Sequence, residues 1–213
     1  MEPTLRSAGA DDQGFLAWAL LTSTRSHLRR GYWDVLLPDR ELRAPLLRAL
    51  TTHAAACHCH HGGFLIAELG GEPVGALCGY EPLIKSEKRF ERALLECLRE
   101  LGVDNEELAE MEQRAQPFAL CKPEFPDDCW IVEWVAVRPE ARGSGAVDRL
   151  LEAILQQGRE LGYGQAQLAY MLGNDRAERV YERHGFHIVA ARTDPSMDAA
   201  VGSAGVGRMK VAL

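Results

Sequence analysis

Hydrophobic and polar positions follow two rhythms along this chain. Trp130-Ile-Val-Glu-Trp-Val-Ala-Val137 is apolar except at Glu133 and rich in β-branched and aromatic residues, which predicts a buried strand. Arg138-Pro139 ends it, because proline cannot donate to a sheet ladder. Past the glycine-bearing stretch 142–147, Val147, Leu150, Leu151, Ile154, Leu155 and Leu161 recur at helical spacing, and Gly162 stops the helix. Upstream, Thr4–Ala8 reads as a short strand. Asp11 is expected to cap a helix reaching about Ser26, with Phe15, Trp18, Ala19 and Thr22 on one side. A second helix presents Leu42, Leu46, Ala49, Leu50 and His53, with Pro45 in its first turn or at a kink. Two apolar runs, Gly63–Leu69 and Val74–Tyr80, flank Gly70-Gly71 and predict a hairpin. Downstream, Gln165–Met171, Phe186–Arg192 and Arg208–Leu213 read as strands, with a loop of small residues over 193–205. The sum is an α/β protein: a mixed, mostly antiparallel central sheet of about seven strands flanked by helices.

Residues 81–128 break this alternation. Phe90, Ala93, Leu94, Cys97, Leu98 and Leu101 form a helical stripe ended by Gly102, and Asp104-x-x-Glu107 starts another helix as a capping box. We read this as a helical insertion between strands 3 and 4, within one domain spanning 1–213. Pro117, Pro123 and Pro126 predict an irregular return. The segment holds 13 acidic and 7 basic residues, most of the net charge of −7. It reads as a solvated face, an acidic wall for a cationic amine, or the surface of a homodimer.

The acidic balance argues against a nucleic-acid partner. No apolar run reaches spanning length and no signal pattern opens the chain, so no membrane association and a cytoplasmic location are expected. The six cysteines are then expected as free thiols. Cys57-His-Cys-His-His61 has poor spacing for a metal, so no metal is expected, and a helix end with exposed imidazoles is the better reading.

The chemistry gathers around Arg142-Gly143-Ser144-Gly145-Ala146-Val147. Glycines at a helix start leave backbone N–H groups open at its positive end, a seat for phosphate. Alone, such a turn also serves as a plain tight connection, and Gly143-x-Gly145-x-x-Asp148 lacks the third glycine of a dinucleotide fingerprint. Further on, Asn174–Gly185 reads as a short helix, Asn174 its N-cap and Gly185 its C′ residue. Tyr181 shares a face with Ala177 and Val180, where a core tyrosine is one reading.

Together the two blocks resemble the GCN5-related N-acetyltransferase (GNAT) family. Arg142, Gly145 and the place of Val147 align with its pyrophosphate loop, and Asn174, Ala177, Tyr181, Gly185 and Phe186 with its later helix. Val147 departs from the small residue usual there. The resemblance implies acetyl-CoA as co-substrate, held by residues 142–147 and by the main chain of Val135, Ala136 and Val137, with Asn174 beside it. It implies Tyr181 as the acid facing the leaving sulfur. Glu133, the one ionisable residue inside the strand, is the candidate base; pairing with an arginine is the competing role. Tyr32, Trp33 and Asp34 are candidate acceptor contacts, or a packed link. The function implied is transfer of an acetyl group to a primary amine, of a small cationic molecule or of a protein or peptide. A non-catalytic acetyl-CoA sensor or partner-binding module is the alternative.

Overall fold

In the computed structural model, which describes residues 2–213, the predicted elements assemble into one seven-stranded sheet. The strands are β1 (Thr4–Ser7), β2 (Phe64–Leu69), β3 (Glu72–Tyr80), β4 (Trp130–Val137), β5 (Gln165–Met171), β6 (His187–Thr193) and β7 (Gly205–Ala212). Their order is β1-β2-β3-β4-β5-β7-β6. All neighbours run antiparallel except β4 and β5. The β2–β3 hairpin turns at Gly70 and Gly71, both at positive φ, as its sequence requires.

The helices are α1 (Gln13–Arg25), α2 (Tyr32–Leu36), α3 (Arg40–Thr52), α4 (Glu87–Glu100), α5 (Asn105–Leu120), α6 (Ala146–Glu160), α7 (Asp175–Arg183) and α8 (Pro195–Val201). One apolar cluster joins α1 to α5 with one face of β2–β4, through fully buried Leu20, Trp33, Leu50, Ile66 and Ile131. The opposite face carries α6 and α7, with Leu150, Leu151, Ile154 and Phe186 buried. Burying a leucine or isoleucine stabilises by roughly 1.5–3 kcal/mol, so each stripe holds its helix to the sheet.

Several expectations are corrected. Asp11 caps nothing; Asp12 sits at the start of α1, and its carboxylate binds Arg6 and accepts from Gly9 N instead. The buried face of α1 is Leu16, Ala17, Ala19 and Leu20, one step round from the expected stripe. Pro45 lies in the second turn of α3 and Pro117 inside α5, so neither proline ends its helix. The small-residue stretch 193–205 contains α8, started by Asp194, whose carboxylate accepts from Ser196 N. The imidazoles of the 57–61 stretch are not all outward: Cys57, His58 and Cys59 are buried.

Candidate functional site

The distinctive local feature is a bulge in β4. Ala76 pairs with Ala136 but Cys78 with Glu133, so Leu77 faces both Trp134 and Val135. Trp134 takes the extra place at φ 59°, a left-handed conformation that bends the strand. As β4 bends, it leaves β5. Their pairing covers only Trp130 to Val132. The split therefore opens after Val132. Arg138 N donates to Val74 O at 2.7 Å. By alternation, Val135 and Val137 turn their N–H groups into the gap while Ala136 faces β3. Of the three expected main-chain contacts, two are thus available as donors.

The turn before α6 lies across this gap. Gly143 and Gly145 adopt φ of 86° and 84°, and a Cβ built at either meets nothing within 4 Å. Open space therefore covers both glycines. Ser144 N bonds Ala141 O and Ala146 N bonds Ser144 Oγ. Among the described residues, the N–H groups of Gly145, Val147 and Asp148 have no protein partner. Three free donors at the positive end of a 15-residue helix suit a diphosphate. The Val147 side chain packs against the α6 core cluster, which leaves its N–H clear. Arg142 is exposed on the rim of the same cleft.

Helix α7 closes the far side. Asn174 Oδ1 accepts from Ala177 N at 3.2 Å as N-cap, while its Nδ2 donates to Ser26 Oγ at 2.6 Å. Asn174 thus lines the cleft chiefly as a brace between α7 and the end of α1. At the other end, Asp148 of α6 meets His184 Nε2 at 2.9 Å and Arg183 at 3.1 Å. These ties hold Tyr181 at the cleft wall, 7% exposed. Burial alone pushes its phenol up to about 12, so it stays protonated at neutral pH.

All these groups share one cleft of about 1690 Å³, which continues past β4 to the α4–α5 side. Glu133 lies on its floor. Burial raises its carboxyl to about 7, with the Tyr80 hydroxyl pulling the other way. No arginine reaches it among the described residues. Sequence reasoning missed three neighbours: His58, Tyr80 and Trp134. The His58 ring stacks with Tyr80 at 5.4 Å and Trp134 at 5.7 Å, and its carbonyl accepts from Trp134 Nε1 at 3.1 Å. Burial drives His58 down to about 4, leaving it neutral. The apolar company of Trp134 and Tyr80 was visible in sequence, but nothing in a Cys-His-Cys-His-His run tells which ring turns inward.

The expected acceptor contacts divide. Tyr32 lines the cleft, edge-on to Phe118. Trp33 is fully buried in the core. Asp34 is bound by Arg25 through two 2.7 Å bonds, by Arg43, and by Gly31 N at 3.0 Å. Burial opposes the Asp34 charge, but these bonds outweigh it and hold the carboxyl below its usual range. Trp33 and Asp34 therefore fix the α1–α2 link and do not reach the cleft.

A model of the acetyltransferase (GNAT) family matches residues 27–186. Among curated proteins, no sequence matches this chain. Solved structures share its fold. An acetyltransferase is 21% identical with TM-score 0.70, covering 98% of each chain. An N-acetyltransferase from Staphylococcus aureus Mu50 is 17% identical with TM-score 0.69, covering 98% of this chain and 100% of its own. The polyamine N-acetyltransferase of Drosophila melanogaster, which forms N-acetylagmatine, is 15% identical with TM-score 0.56 and full coverage of both chains. The matched span takes in the bulged strand, the glycine turn and the Tyr181 helix alike, and this chain belongs to the acetyltransferase (GNAT) family of acyltransferases.

Proposed function

We propose that this chain transfers an acetyl group from acetyl-CoA to a primary amine by direct attack in a ternary complex. One observation carries the reading. The open donors of the α6 turn, the free N–H groups of β4, Tyr181 and Glu133 all line a single continuous cleft. Acetyl-CoA, when bound, supplies an acetyl group activated as a thioester.

The residues divide the work. Gly145, Val147 and Asp148 N–H would hold the diphosphate, with Arg142 alongside. Val135 and Val137 N–H would fix the pantetheine and carbonyl end where β4 leaves β5. Glu133, with a pKa of about 7, takes the proton released when an ammonium becomes an amine, through a bridging water. That amine forms the new C–N bond as the C–S bond breaks. Tyr181, protonated up to about 12, gives its proton to the departing thiolate and regains one from the nitrogen, which sheds its second proton on becoming an amide. No step in this account needs a metal.

The test is thiol release from acetyl-CoA across a broad amine panel, paired with calorimetry of acetyl-CoA alone. Binding plus release with some amine supports transfer. Binding with no release from any amine contradicts it.

A further inference from the structure

The amine is only one end of an acceptor, and the cleft wall speaks to the rest of it. This inference rests on the transfer activity proposed above. Beyond Glu133 the wall is ringed by aromatic faces. His58 lies nearly parallel to Phe90, with ring centres 4.7 Å apart, and to Trp134 and Tyr80 behind it. On the opposite side Tyr32 and Phe118 meet edge to face at 5.1 Å. Between them the apolar stripes of α4 and α5 contribute Leu94 and Met111.

Charge is scarce in this interior. Glu87 is paired with Lys122 at 2.9 Å. Glu91 and Glu112 stand exposed on α4 and α5. Asp34 is locked among its arginines, away from the cleft. Glu133 remains on the floor as a carboxylate with no salt-bridge partner, while the Lys85 ammonium is buried against Gly63. Away from Glu133, the carboxylates that line the cleft are paired, as Glu87 is with Lys122, or stand exposed at its rim, as Glu91 and Glu112 do, where solvent screens their pull on a second cationic centre. A peptide would bury amides against two helices whose own backbone groups are already bonded within the helix. A flat apolar body meets neither limit, and its ammonium reaches Glu133 past the faces of Tyr80 and Trp134.

We propose that the acceptor is a small primary amine on an aromatic, apolar body: an arylalkylamine. The acidic segment 81–128 then serves the site through the inner apolar faces of its helices, while most of its carboxylates face solvent.

The experiment compares kcat/KM, read as thiol release from acetyl-CoA, for 2-phenylethylamine and tryptamine against putrescine, spermidine and a short peptide with a free N-terminus. The expected result is a preference of about tenfold or more for the arylalkylamines. Equal or better use of a polyamine or the peptide overturns the inference. Acetyl-CoA that binds while neither arylalkylamine is acetylated also overturns it, leaving the cofactor half of the account standing. Acetyl-CoA that fails to bind overturns the transfer reading and this inference with it. Phe118→Ala, or Leu94→Ala if the first variant melts early, should lower arylalkylamine kcat/KM about tenfold with acetyl-CoA affinity unchanged. An unchanged kcat/KM in a folded variant contradicts the assignment of that wall.

Discussion

The two halves of the cleft are made by different means. The cofactor half is built from main chain: two glycines at positive φ, three free N–H groups at a helix start, and a strand bent off its neighbour. The acceptor half is built from side chains brought together from a loop, three strands or helices, and the pair α4 and α5. Backbone donors serve any ligand with a diphosphate, whatever the acceptor. Side-chain walls change with single residues. On the reading proposed above, specificity resides in the side chains: the diphosphate handle falls to the backbone and the variable partner to the rings.

The largest expected effect tests the backbone half. Gly145→Glu places a side chain and a negative charge in the open space above the turn, at φ 84°. Acetyl-CoA affinity should fall more than about 1000-fold by calorimetry, with the fold retained by circular dichroism. Intact affinity would mean that this turn is not the handle.

Next comes the group between the halves. Tyr181→Phe removes one hydroxyl from a buried ring. We expect kcat to drop about 100-fold while KM for acetyl-CoA stays within about twofold. Unchanged turnover would remove the acid role and leave Tyr181 as core.

Glu133 gives a pH signature on the acceptor side. Its carboxyl is raised to about 7, so it is protonated and useless as a base below that pH. Wild-type kcat/KM should therefore fall as pH drops through about 7. Glu133→Gln should lose that limb, with the largest deficit, about 30-fold, at pH 8 and little at pH 5.5. A variant whose pH profile overlays the wild type refutes the assignment.

The smallest effect separates bracing from binding. Asn174→Ala removes a cap and the tie to Ser26, and should cost about 1 kcal/mol of stability by urea denaturation. Acetyl-CoA affinity should change only a few-fold. A loss of affinity without loss of stability would make Asn174 a ligand contact instead.

The same contrast explains what was legible in the sequence. Glycine spacing, the apolar run of β4 and the Asn174–Gly185 helix encode local backbone geometry, so the turn, the Tyr181 helix and the sheet could be read directly. The split of β4 from β5 after Val132 was not legible, because a left-handed tryptophan leaves no mark in composition. Trp33 and Asp34 look like cleft residues in sequence. Only tertiary packing shows one filling the core and the other neutralised by Arg25 and Arg43. His58 went unread for the same reason. Its inward turn depends on Phe90, more than thirty residues away, and the loop's own residues do not dictate it.

The central claim is that the main-chain donors opening α6 grip the diphosphate and so set the sulfur beside Tyr181. A crystal structure with bound coenzyme A tests it most directly. The account predicts phosphate oxygens within hydrogen-bond distance of the N–H groups of Gly145 and Val147, with the thiol in the β4–β5 gap next to the Tyr181 hydroxyl. A diphosphate bound elsewhere, or a thiol outside that gap, would contradict it.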